Sequence, residues 1–145
     1  MIEQTFVIIK PDAINRRLVG TIIQRFEKKN LRILRIQSEQ KNYAWVRLMY
    51  PNIFERLQMG KWLEREYMDF ANFMISTPLI GMTLEGNNAI SVVRKMIGAT
   101  DSREALPGTI RGDYGTYPVM CNCVHASDSV ESASNEIKLF FGGDL

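Results

Sequence analysis

His125 is the only histidine in 145 residues, and it stands in the stretch CNCVHASDS beside Asn122, Ser127, Asp128 and Ser129. A single imidazole rules out an HExxH zinc site, and its neighbours offer no Ser-His-Asp order that spacing could support. On an alternating strand such a residue is more often structural than catalytic. Two cations stand out elsewhere. Lys10 ends a strand just before Pro11-Asp12, and Arg111 lies within GTIRGDYG, both where loops would display a charge rather than bury it. The usual phosphate-handling motifs are missing, since there is no G-x-x-x-x-G-K-[ST] and no G-x-G-x-x-G after a strand. The glycines of PGTIRGDYG are able simply to shape turns.

Composition sets the frame for these residues. The chain suits one domain, residues 1–145, able to bury roughly two-thirds of its unfolded surface. Hydrophobic residues make up 46% and charged residues 23%, which is ordinary globular usage. Lys plus Arg number 18 against 16 Asp plus Glu. So slight an excess, with no basic stripe, points to no specific nucleic acid and to no membrane surface. Cys121 and Cys123 stand two apart, a spacing that suits neither a disulfide nor, without a further Cys or His pair, zinc. They read as buried thiols on one face of a strand in a reducing compartment. The start, MIEQTFVIIK, resembles neither a signal peptide nor a membrane span. The expectation is a soluble, cytoplasmic protein.

The elements that must position the site follow from periodicity. QTFVIIK predicts a strand stopped by Pro11. Leu18, Ile22, Ile23 and Phe26 recur at helical spacing, and LRILRIQSE alternates as a half-buried strand. Residues 43–74 read as helices broken at Pro51 and Gly60. TPLIGMTLEG predicts a third strand, and NNAISVVRKMIG a helix with an Asn-rich start and a closing glycine. Residues 99–118 form a long irregular stretch, of a length that is usually functional. VMCNCVH predicts a fourth strand, and DSVESASNEIKLFF a last helix with Asp128 and Glu131 as a capping box. The order suggests an α+β, ferredoxin-like fold. Its two split βαβ units would form a four-stranded antiparallel sheet with helices packed on one face.

Taken together, IKPDA (9–13), LVG (18–20), PGTIRGD (107–113) and N-x-x-H-x-S-D-S (122–129) followed by VESA resemble the nucleoside diphosphate kinases. The similarity runs from about Thr5 to Phe141. The resemblance implies the ferredoxin-like fold, Mg²⁺-nucleotide substrates and a shuttling phosphohistidine. The γ-phosphate would pass from a nucleoside triphosphate to a nucleoside diphosphate in a ping-pong reaction through phospho-His125. A neutral imidazole suits that role, because its free pKa lies near 6.5. Glu136 matches the family's orienting acid, and Ser127 the hydroxyl that contacts it. Lys10, Tyr50, Arg94, Thr100, Arg111 and Asn122 occupy the family's other nucleotide positions. Lys10 would meet charge on the γ-phosphate, and Tyr50 would donate a hydrogen bond there. Arg94, Thr100 and Arg111 would hold the α- and β-phosphates, with Asn122 and Lys10 at the ribose. Mg²⁺ would arrive with the nucleotide, there being no dedicated carboxylate cage for it.

The chain also departs from the family's pattern. The base-stacking aromatic has no clean counterpart, and EREYMDF (64–70) makes Tyr67 the best substitute and Phe70 a poorer one. The segment from Tyr50 to Phe73 is about eight residues longer than usual, so that Trp62 is another ring able to reach the base. One residue is inserted between Arg111 and His125. The sequence ends at FFGGDL without the long tail many members place against neighbouring subunits. The family nonetheless implies a homo-oligomer, hexamer or tetramer. The alternative activity is that of a catalytically weak, nucleotide-binding regulatory protein of the same fold. The full set of site residues, with a lone nucleophile that a mere binder would not need, speaks against it.

Overall fold

Phe6, Val7, Ile8 and Ile9 are all fully buried, so the strand that carries them is covered on both faces. The structure, a computed structural model, describes residues 1–60 and 64–142. Its elements run β1 (Ile2–Ile9), α1 (Pro11–Asn15), α2 (Val19–Lys28), β2 (Arg32–Glu39), α3 (Tyr43–Met49) and α4 (Pro51–Gln58). There follow α5 (Glu64–Met74), β3 (Leu79–Asn87), α6 (Ala89–Ile97), α7 (Ile110–Tyr114), β4 (Val124–Ala126) and α8 (Val130–Phe141). The four strands form one sheet in the order β2-β3-β1-β4, every pairing antiparallel. Each βαβ unit is thus split by a strand of the other, as the ferredoxin-like expectation requires.

The helices lie on both faces, which corrects the one-faced arrangement. On one side, Val7, Ile9, Met82, Leu84 and Val124 pack beneath Ile22 and Phe26 of α2, Val93 and Ile97 of α6, and Ile110 of α7. On the other, Phe6, Ile8 and Leu79 meet Trp45, Val46 and Met49 of α3, Tyr67, Phe70 and Met74 of α5, and Phe140 and Phe141 of α8. The aromatic and Met-rich stretch 43–74 supplies that second layer. Each such side chain stabilises the fold by about 1.5–3 kcal/mol when fully buried. Phe140 lies tight against the sheet, where a Cβ on Gly81 would overlap its ring. Only a glycine in β3 lets α8 approach this far. Glu136 lies one helical turn before Phe140, on the same face of α8. Docking Phe140 therefore fixes how near Glu136 comes to β4.

Three local expectations are also corrected. The fourth strand is limited to Val124–Ala126, because Cys123 has φ 72° and breaks the extended run. The cysteines are accordingly not paired along a strand face. Both are free thiols, Cys123 buried and Cys121 half-buried. The cap of α8 is Ser129, whose side chain accepts from the N–H of Ser132, in place of Asp128. At α6 the residue before the helix, Asn88, makes no side-chain cap, and Glu3 of β1 accepts from the Ile90 N–H instead. These shifts matter for the site, since Asp128 does not cap α8 and Cys123 turns the chain just before His125.

Candidate active site

β4 sets His125 opposite Ile8, so its ring points to the sheet face covered by α3, α5 and α8. There His125 Nε2 lies 2.5 Å from Glu136 Oε1, and the Ser127 hydroxyl donates to the same oxygen at 2.9 Å. The carboxylate accepts the Nε2 proton, which leaves Nδ1 with its lone pair. Tyr50, just past α3, stands edge-on to the imidazole with ring centroids 5.6 Å apart, and edge-on to Phe70 at 4.9 Å. The Tyr50 hydroxyl is buried without a hydrogen-bond partner. Burial, and next the charge of Glu136, pushes its pKa up, so it remains a donor.

A cavity of about 440 Å³ opens beside this group. It is lined by Lys10, Tyr50, Phe70, Arg94, Thr100, Arg111, Asn122, His125 and Glu136, together with Ile53, Arg56, Val119, Met120 and Asp128. The Lys10 ammonium donates to Asn122 Oδ1 at 2.9 Å, and the Asn122 amide donates to the Thr100 carbonyl at 2.9 Å. Arg111 donates to the carbonyls of Gly98 at 3.0 Å and Val124 at 2.7 Å. Arg94 donates to the Ala126 carbonyl at 3.2 Å. All ten positions expected of the site except Tyr67 and Ser127 line the cavity, and Ser127 stands directly behind it.

Lys10 and Arg111 are not displayed by loops as their places in the sequence suggested. Each is 5% exposed. The reason lies in the packing of short elements. Lys10 follows a fully buried strand, and α7 is pressed so close to the preceding loop that a Cβ on Gly112 would overlap the Leu106 carbonyl oxygen. The Thr109 hydroxyl caps α7 by accepting from the Gly112 N–H at 3.0 Å, which turns Arg111 inward. Burial lowers the pKa of Arg111 to about 10, with the like charge of Arg94 adding to the effect. Burial lowers that of Lys10 to about 8, partly opposed by Asp12. Cations held in a partly desolvated cavity interact far more strongly with an arriving anion than solvated ones do.

Tyr67 is not brought to the cavity. It is 8% exposed within the core between α5 and the sheet. Phe70, one turn further along α5, lines the cavity instead, while Trp62 falls outside the described residues. Arg56 and Ile53 of α4 were not foreseen, although a signal was present. Their i, i+3 spacing sets both on one helix face a turn beyond Tyr50.

The model of one protein family, Nucleoside diphosphate kinase, matches residues 3–144. The chain belongs to the nucleoside diphosphate kinase family. It is 49% identical over 145 residues to the Methanocaldococcus jannaschii nucleoside diphosphate kinase, covering 99% of this chain and 96% of that one. It is 46% identical over 140 residues to the Sulfolobus acidocaldarius enzyme, covering 97% and 90%. Among solved structures, the Encephalitozoon cuniculi nucleoside diphosphate kinase superposes with a TM-score of 0.87 at 38% identity, covering 98% of this chain and 90% of that one. The Aquifex aeolicus nucleoside diphosphate kinase gives 0.83 at 34% identity, covering 99% and 97%. Family membership bears out the expected fold and activity: the chain is a phosphotransferase of nucleotides, and the regulatory alternative falls away.

Proposed function

We propose that phosphoryl transfer runs in two half-reactions through His125, within a single domain. The observation that carries this is the Glu136 carboxylate at 2.5 Å from Nε2, on an imidazole that borders a cavity rich in cations. In the first half-reaction Nδ1 attacks the γ-phosphorus, an N–P bond forms, and the bond to the β-phosphate oxygen breaks. The nucleoside diphosphate leaves. A second diphosphate then attacks through its terminal oxygen and restores the imidazole. No proton need be exchanged with solvent, because the Nε2 proton stays against Glu136 throughout while the ring's positive charge grows and subsides. A carboxylate placed there stabilises the imidazolium-like transition state.

Lys10 and the Tyr50 hydroxyl would meet the transferring group, and Arg94, Arg111 and Thr100 the α- and β-phosphates, with Arg56 of α4 added to them. Asn122 and Lys10 would contact the ribose. Mg²⁺ would supply further neutralisation of the β- and γ-oxygens when bound. No group of three or more His, Cys, Asp or Glu among the described residues could hold a metal. The cavity's charges are chiefly cationic, and its Glu136 is already engaged. That donor set does not fit a resident metal, so the ion would come and go on the phosphates.

Two wider features go with this reading. A homo-oligomer, hexamer or tetramer, is favoured by β2, an edge strand that leaves Leu34 40% and Ile36 46% exposed. Light scattering tests it, and a monomer would refute it. A cytoplasmic location agrees with the absence, among the described residues, of any helix long and apolar enough to cross a membrane. Initial-rate kinetics test the mechanism itself. Parallel double-reciprocal lines for the two nucleotides, lost on chelation of Mg²⁺ and regained on its return, are expected. Intersecting lines would show direct transfer in a ternary complex.

A further inference from the structure

Asp12, the second residue of α1, touches the phosphate site through its backbone rather than its cavity. Its Oδ2 accepts from the Cys123 N–H at 3.0 Å, while the Lys10 N–H donates to the Cys123 carbonyl at 2.9 Å. These two bonds tie residues 10–12 to residues 122–124. Cys123 holds φ 72°, a left-handed conformation that costs a residue with a side chain roughly 1–2 kcal/mol. The bond from Asp12 thus restrains a backbone that would otherwise relax. On one side of that turn Asn122 holds the Lys10 ammonium, and on the other the Val124 carbonyl holds Arg111. Three polar groups of the cavity take their places from it.

The same carboxylate carries a charge that the hydrogen bond does not require. Asp12 Oδ1 is buried with no hydrogen-bond partner, a state that is costly unless a cation lies nearby. Four titratable groups bear most on the charge of Lys10, namely Asp12 on α1, Arg111 on α7, and the thiols of Cys121 and Cys123 before β4, while Tyr50, Arg56, Arg94, His125 and Glu136 line the cavity it borders. Burial pushes both thiols up, so they are neutral near pH 7. Asp12 is then the one anion among these four.

We infer that Asp12 is a positioning residue for phosphoryl transfer, holding the Asn122–Cys123 turn through Oδ2 and keeping the Lys10 ammonium charged through its own negative charge. The inference rests on the reading of Lys10 as the group that meets the phosphate. Burial draws Lys10 down to about 8 and Asp12 opposes it. Asp12 makes no ion pair with Lys10 and acts on it through space, across the turn it holds, where a nearby opposite charge moves a pKa by about one unit. Asp12→Asn keeps an acceptor for the Cys123 N–H and removes only the charge, whereas Asp12→Ala removes both.

The test is kcat/KM for the wild type, Asp12→Asn, Asp12→Ala and Lys10→Ala from about pH 6 to about pH 9. Asp12→Asn should lie within about twofold of the wild type at the acid end, and fall about tenfold below it at the alkaline end. Asp12→Ala should be impaired at every pH. Contributions from His125 or the nucleotide cancel in these ratios. An Asp12→Asn ratio that does not change with pH, or an Asp12→Ala variant equal to the wild type, would overturn the inference. Should Asp12→Asn not fold, Asp12→Glu decides, since it keeps the charge: a flat ratio supports the inference, and one falling with pH overturns it. If Lys10→Ala retained wild-type kcat, the phosphate reading itself would fall, whatever Asp12 did.

Discussion

Replacing Glu136 by Gln changes one atom of the His125 partner and isolates what its charge contributes. The amide oxygen is able to accept from both Nε2–H and the Ser127 hydroxyl, which donates to Oε1 at 2.9 Å, so the geometry is retained. The side chains of His125 and Glu136 are only 21% and 14% exposed, and solvent screens their interaction little. A hydrogen bond to a charged group contributes about 1.5–3 kcal/mol against about 1 kcal/mol for a neutral one. Losing the difference, about 0.5–2 kcal/mol, as positive charge develops on the ring lowers the rate roughly 2- to 30-fold. Rapid mixing with γ-labelled ATP, followed by counting the phosphoenzyme, reads that step directly. The nucleotide affinity taken from the concentration dependence should stay within about twofold, the mark of a transition-state interaction. Wild-type phosphorylation rates in Glu136→Gln, or a raised KM with kcat intact, would show that the carboxylate does not serve the imidazole.

Other outcomes follow from the same geometry. Lys10→Ala should lower kcat by on the order of a hundredfold, while Arg111→Ala should in addition raise KM, because it meets phosphates in ground and transition states alike; small, equal changes in both would show the phosphate site misplaced. Tyr67→Ala should leave KM within about twofold and destabilise the fold by about 3–5 kcal/mol, read as a lowered denaturant midpoint, whereas Phe70→Ala should raise KM. Lys10 has a pKa of about 8 in the folded protein against 10.5 for a free lysine. Between those values the unfolded chain binds more protons, so stability rises with pH across that window and the burial penalty is complete below it. Lys10→Met should therefore be the more stable protein in urea melts below about pH 8, by about 3 kcal/mol, with the advantage fading toward pH 10.5.

Much of the site was legible because its residues are unusual in type and lie in short, dense motifs. The lone histidine drew notice by itself, whereas Ser127 and Glu136 were named through the family resemblance, since spacing alone gave His125 no partner. The sheet was equally open to reading, since β1 ends in the unbroken apolar run Phe6–Ile9 while β2 alternates. What escaped depends on contacts distant in sequence. Lys10 looked solvated because nothing in IKPDA announces that Asn122, 112 residues away, closes over it. The one-faced sheet was the wrong expectation because the 43–74 helices show apolar stripes without saying which side of β1 they cover. Tyr67 and Phe70 share one face of α5, and only the depth of α5 against the sheet separates a core ring from a cavity wall. The curtailed β4 turns on Cys123, whose left-handed backbone a β-favouring sequence conceals.

The claim on which the rest depends is that the phosphoryl group rests on His125. Incubation with γ-labelled ATP and Mg²⁺, then peptide mapping, tests it directly. The label should be found on the peptide containing His125, stable to alkali and lost in acid, as a phosphoramidate is, and it should pass to an added nucleoside diphosphate. His125→Ala should neither take up label nor turn over. Substantial transfer by His125→Ala, or label on any other residue that passes to the diphosphate, would contradict the account.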